Sequence, residues 1–164
     1  MALAGVLFLI FEPCISKSLI MAIIALEGMR FYAYHGFYEE ELILGNDFIL
    51  DVYINADTEL AAFADELYAD PAILKEEEPE EGKEKPTTVN YETVFLICQA
   101  EMRKPTKLLE AIVERITDRI MEHFDNAEGV AVRLKKLNPP LTGRVAAAWV
   151  MDAKGDIELP FWGD

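Results

Sequence analysis

The sequence predicts an α+β fold: an antiparallel four-stranded sheet with two helices on one face. Three observations carry this. Val130, Val132 and Leu134 alternate with Ala131 and Arg133, the period-two pattern of a half-buried strand. Leu109, Ile112, Val113, Ile116, Ile120 and Phe124 recur at helical spacing and make one apolar stripe. Strand-like stretches fall in two pairs around two helix-like ones, an order ββααββ that sets both helices against one sheet face.

The elements follow in order. Residues 1–11 are nearly all apolar, too short to span a bilayer and without the basic start of a signal peptide. Met21 opens a better-patterned segment, so residues 1–21 are expected to be an appendage and 22–164 a single domain. Residues 23–34, rich in Ile, Phe and Tyr, read as the first strand, broken by His35-Gly36. Residues 37–45 read as a connection carrying Glu39, Glu40 and Glu41, and residues 48–55 as the second strand. A short helix is predicted over 60–68. Residues 70–86 hold three prolines and a glycine, and their acidic side chains outnumber their lysines. That composition predicts a solvated, mobile surface insertion. Helices are predicted over 91–102 and, after a Pro105-Thr106 cap, over 107–124, with Gly129 as the exit. The last two strands are placed at 130–137 and 145–152.

Composition narrows the function classes. The formal charge of −15 argues against nucleic acid and against an anionic membrane surface, both of which need clustered cations. A hydrophobic content of 52% leaves apolar surface to hide, and a four-stranded sheet leaves two edges open, so symmetric assembly is expected. Cys14 and Cys98 have no metal-ligand spacing and read as reduced thiols of a cytoplasmic protein. The only histidines, His35 and His123, cannot make a three-histidine zinc site within one chain, so neither metal nor cofactor is expected.

Residues 130–143, VAVRLKKLNPPLTG, are chemically the most pointed stretch. Continuing the alternation puts Lys136 on the apolar side and leaves Lys135 with Arg133 on the other. Asn138-Pro139-Pro140 then ends the strand, because proline cannot donate to a ladder. A lysine so placed loses hydration, which favours its neutral form. Taken alone, a solvated strand-end lysine is the simpler reading.

Four stretches together change that reading. GMRFYAYHGFYEEELILGNDF (28–48), TVNYETV (88–94), PTKLLEAIVERI (105–116) and VRLKKLNPPLTG (132–143) resemble dihydroneopterin aldolases of folate biosynthesis, in that family's order, over about residues 22–152. The resemblance implies the tunnelling fold, a ββααββ unit that assembles into rings, here a tetrameric ring or octamer with sites between subunits. It implies Lys136 as an acid/base group and Tyr91, supplied by the neighbouring subunit, in proton transfer. Glu41 would meet the substrate side chain and a water; counting back from Gly45 selects it over Glu39 and Glu40. Glu110 would anchor the pterin, with Leu109 and Val89 beside it. Alone, Glu110 reads as a carboxylate favoured by the helix dipole, Tyr91 as a helix-start aromatic and Glu41 as a solvated acid. The chain departs from the family in three places: the insertion at about 70–86, Asn90 where many members have histidine, and the first twenty residues, which have no counterpart.

The implied reaction splits 7,8-dihydroneopterin into 6-hydroxymethyl-7,8-dihydropterin and glycolaldehyde. A retro-aldol step needs a base for a hydroxyl proton and a sink for the electrons of the breaking bond. The substrate's ring imine can be that sink, so neither a Schiff base nor a metal is needed. The rivals are a 2′-epimerase of dihydroneopterin or its triphosphate, using the same bond break, and a non-catalytic pterin-binding ring.

Overall fold

The computed structural model describes residues 21–158. In chain order its elements are β1 (Met21–Ala33), α1 (Glu39–Leu44), β2 (Asn46–Asp57), α2 (Glu59–Ala64), β3 (Tyr68–Ala69), a 3-10 turn (Pro71–Lys75), β4 (Lys85–Pro86), α3 (Tyr91–Met102), α4 (Leu109–His123), β5 (Ala127–Leu137) and β6 (Ala147–Gly155). The main sheet has the order β1-β2-β5-β6 with every neighbour antiparallel. The expected α+β fold is therefore present, with a second, two-stranded sheet and two short helices interpolated.

Alternation decides which side chains reach the core. Phe48, Leu50, Val52 and Ile54 of β2 and Val130, Val132 and Leu134 of β5 are each at most 1% exposed. They pack against Val94, Ile97 and Cys98 of α3 and Ile112, Val113, Ile116 and Ile120 of α4. The α4 stripe is buried as its spacing required, with Leu109 packed at the margin. On the other face of the sheet Asp51 is buried too: the Arg133 guanidinium donates to its Oδ2 at 2.8 and 3.0 Å, and the Gly28 N–H donates to Oδ1 at 2.7 Å.

Several expectations change. The 37–45 connection contains α1, a helix of six residues. Glu39, Glu40 and Glu41 occupy its first turn, where the helix dipole favours carboxylates. Gly45 stops it at φ 71°, where an added Cβ would lie 2.7 Å from the Tyr32 ring. The helix at 60–68 ends at Ala64, because Asp65 turns left-handed. Pro105-Thr106 does not cap α4; Leu108 is the N-cap, without a side-chain bond, and Thr106 is engaged elsewhere. Gly129 lies inside β5, opposite Gly155, where a Cβ would meet the Asp156 backbone oxygen at 2.4 Å.

The insertion has a closed stem. Tyr68 and Ala69 pair with Pro86 and Lys85, and the Thr87 N–H donates to the Leu67 carbonyl at 3.0 Å. Asp70 is buried, not solvated, and accepts N–H bonds from Ala72 at 2.9 Å and Glu80 at 2.7 Å. Residues 75–86 are exposed, as their charge predicts. Met21, expected to close the appendage, instead opens β1 opposite Asp57; residues 1–20, Cys14 among them, and residues 159–164 lie outside the described residues.

Candidate functional site

Register carries Lys136 to the core face. It pairs with Phe48 across β2, two steps beyond the Leu50–Leu134 pair, and is 6% exposed. Lys135, on the other face, reaches within 3.9 Å of Asp51. The Lys136 ammonium lies 5.9 Å from the centroid of the Phe48 ring. It donates to the His35 backbone carbonyl at 3.3 Å and makes a short hydrogen-bonded ion pair with Oε1 of Glu41.

Glu41 is delivered by α1 and the corner before it. Its side chain is 12% exposed, and its Oε2 accepts the Tyr38 N–H at 3.3 Å. Gly36 makes this approach possible, because a Cβ there would stand 2.2 Å from Oε2. The end of β5 is pinned from the opposite side. The Asn46 side-chain amide donates to the Leu137 carbonyl at 3.0 Å, and the Asn138 N–H donates to Ala146 at 2.9 Å. Asn138 adopts φ 45°, a left-handed conformation that asparagine tolerates, and so turns the chain into the two prolines. Between these pieces lies an open cavity of about 230 Å³ lined by Glu40, Glu41, Asn46, Asn138 and Pro140.

Behind the lysine sits His35, with no exposed surface. Its ring packs edge-on to Phe48 at 5.3 Å, and neither ring nitrogen makes a hydrogen bond of good geometry among the described residues, the Met102 backbone being a weak acceptor at most. Burial is the main reason its pKa falls from 6.5 to about 4; the Arg115 and Lys136 charges add to it, and the Met102 backbone offsets part. The ring is therefore neutral at physiological pH. The His35-Gly36 corner is also tied to Thr106, whose carbonyl accepts the Gly36 N–H at 3.0 Å.

The other expected site residues are not gathered here. Tyr91 is the first residue of α3 and is 61% exposed. The Asn90 side chain caps that helix, accepting from Glu92 N–H at 2.9 Å. Asn90 and Thr93 line a crevice with His123 and Phe124, at the end of the molecule where β5 begins. The two ends of β5 are about 30 Å apart at 3.3 Å per residue, so Tyr91 is remote from the Lys136 of its own chain. Val89 is 2% exposed and belongs to the core. Glu110 is exposed in the first turn of α4, four residues beyond Thr106, and Leu109 is half-buried beside it. Both lie at the Lys136 end. Among the described residues no group of three or more His, Cys, Asp or Glu is placed to hold a metal ion.

A buried ammonium against a carboxylate at the edge of an open cavity can accept and return protons without bulk water. Two contributors escaped the reading of the sequence: the His35 carbonyl and the absent side chain of Gly36. Backbone atoms leave no residue-type signal, although the Tyr-His-Gly break marked the place. Glu101 was also missed; its signal was an acid at a core-facing position of α3, four residues after Ile97.

A family model described as FolB, dihydroneopterin aldolase, matches residues 24–151. The dihydroneopterin aldolase of Streptococcus pyogenes serotype M1 is 30% identical over 128 residues, covering 77% of this chain and 92% of the relative. That of Staphylococcus epidermidis is 31% identical over 122 residues, covering 74% and 86%. Among solved structures, Escherichia coli dihydroneopterin aldolase in complex with neopterin superposes with a TM-score of 0.63 at 18% identity, covering 82% of this chain and 99% of that one.

Proposed function

The chain belongs to the dihydroneopterin aldolase family of folate biosynthesis, and from that premise we propose that Lys136 and Glu41 are the proton-transfer centre of its retro-aldol reaction. The substrate is 7,8-dihydroneopterin. A base takes the proton of the 2′-hydroxyl, and the C1′–C2′ bond breaks as its electron pair moves into the ring imine, whose nitrogen takes up a proton. Glycolaldehyde leaves. The resulting enamine takes a proton at C1′ and gives one up at nitrogen, restoring the imine of 6-hydroxymethyl-7,8-dihydropterin. The ring absorbs the electrons, so the protein has only to move protons and hold geometry.

The observation that carries this reading is the burial of Lys136 with its ammonium held between the His35 carbonyl and the Glu41 carboxylate. Glu110 supplies a planar carboxylate suited to the guanidine-like edge of a pterin, with Leu109 beside it. Val89, whose side chain is in the core, would meet substrate through its backbone. Tyr91 would come from a neighbouring copy in a tetrameric ring or octamer. Two features support a shared pocket. The cavity beside Lys136, about 230 Å³, is smaller than the roughly 300 Å³ at which complete small-molecule sites begin. Tyr91, Leu108 and Trp149 are each more than half exposed, apolar surface that a second copy would cover.

Incubating the protein with 7,8-dihydroneopterin without added metal should release glycolaldehyde; no release would sink the reading. Chiral analysis of recovered substrate measures any 2′-epimer made by re-addition after the same bond break. Glu40 and Glu41 on the cavity wall disfavour a triphosphate substrate. Lys136→Ala should keep pterin binding and lose turnover about 10²- to 10⁴-fold, whereas Glu110→Ala should weaken affinity. Unchanged affinity would return Glu110 to a helix-dipole role.

A further inference from the structure

The side chain of Glu101 is 1% exposed, and the proton-transfer reading makes no use of it. Three cations converge on it. Lys104 and Arg119 each donate to Oε1 at 2.6 Å, and Arg115 Nε donates to Oε2 at 2.9 Å. Burial alone would raise the Glu101 pKa, but these bonds outweigh it and bring the carboxyl down to about 2. The Arg115 guanidinium also grips a second acceptor, because its Nη2 donates to the Thr106 hydroxyl at 3.1 Å.

We propose that Arg115, held by Glu101, is a positioning residue for Lys136, acting through Thr106 and the His35-Gly36 corner. The inference rests on Lys136 being the proton-transfer group. Each link is a directed hydrogen bond. Arg115 fixes Thr106, the Thr106 carbonyl accepts the Gly36 N–H at 3.0 Å, and the neighbouring His35 carbonyl accepts from the Lys136 ammonium at 3.3 Å. Gly36 in turn leaves the space that Glu41 fills. Both members of the proton-transfer pair are thus seated on one corner. A planar guanidinium meets two acceptors in two directions, which a lysine ammonium does not reproduce. An apolar pair could fill the same volume without desolvating charge, but it could not grip Thr106. Small displacements of a reacting group are kinetically expensive, so a corner clamped from behind controls rate more than affinity.

The test is steady-state kinetics of the full chain with 7,8-dihydroneopterin for Arg115→Gln, Thr106→Val and the double variant, with Lys136→Ala as reference. Thr106→Val removes the hydroxyl, including its 2.8 Å bond to the Lys104 carbonyl, but keeps the backbone carbonyl that holds Gly36. Each single change should lower kcat about tenfold or more and leave KM within about twofold. The double variant should be no slower than the worse single, because both cut one chain. Lower thermal stability with kcat per folded molecule unchanged overturns the proposal, as do fully additive losses. If Arg115→Gln does not fold, Arg115→Lys takes its place and should show the same kcat loss. Turnover that survives Lys136→Ala overturns both this proposal and the assignment beneath it. Turnover lost only in Lys136→Ala overturns the positioning role alone.

Discussion

His35 shows how much a single buried residue can set. Folding holds its pKa near 4 against an ordinary 6.5. The unfolded chain therefore binds the extra proton between those values, and stability falls as pH drops from about 6.5 to about 4. The loss should approach about 3 kcal/mol at the acid end. Glu101, brought down from 4.5 to about 2, contributes to the pH dependence only below about pH 5.5. Urea unfolding between about pH 7 and pH 5.5 therefore isolates the histidine from it. His35→Leu should flatten that slope, and an unchanged slope would assign the acid sensitivity elsewhere. Cys98 gives the opposite case: burial pushes its thiol up to about 12, so it is a core atom and not a nucleophile. At this scale the inward side of Lys136 was legible, because strand alternation counts residues locally. Its direct pairing with Glu41, a residue the motif resemblance had singled out, was not, because the two lie 95 residues apart in sequence.

Helix α4 was the most legible element. Its stripe places Ile112, Val113, Ile116 and Ile120 in the core, each at most 2% exposed. Ile116→Ala should cost about 2–5 kcal/mol of stability by leaving a cavity, read as a lower urea midpoint with an unchanged slope. A loss well under 1 kcal/mol would mean that the helices close around the gap. Helix α1 was invisible for the converse reason. Six residues are too few for a period to show or for propensity to matter. Tertiary contacts hold it instead: the Tyr32 hydroxyl donates to the Leu44 carbonyl, and Glu41 is paired with Lys136.

The whole molecule separates the proposed chemical groups, with Lys136, Glu41, Leu109 and Glu110 at one end and Tyr91 at the other. A shared pocket makes a direct prediction. Lys136→Ala and Tyr91→Phe chains, each impaired alone, should regain activity when co-expressed, because about a quarter of randomly mixed interfaces are intact. No recovery would place both groups in one chain's site. Removing the exposed part of the insertion, residues 75–84, should leave the main sheet folded, since β3, β4 and the Thr87–Leu67 bond close its stem. A collapse in cooperative unfolding would make those residues structural.

The sequence by itself determined the layer architecture, the inward side of Lys136, the core stripe of α4 and, through four ordered motifs, the family. These are periodic or contiguous properties, written in the spacing of neighbours along one chain. Only the tertiary structure decided that Glu41, already selected by motif spacing over Glu39 and Glu40, pairs with the lysine, that Asp70 is buried, and that Glu101 and Arg115 stand behind the His35-Gly36 corner. Each of those depends on strand register and helix packing, which bring together residues that no local pattern relates.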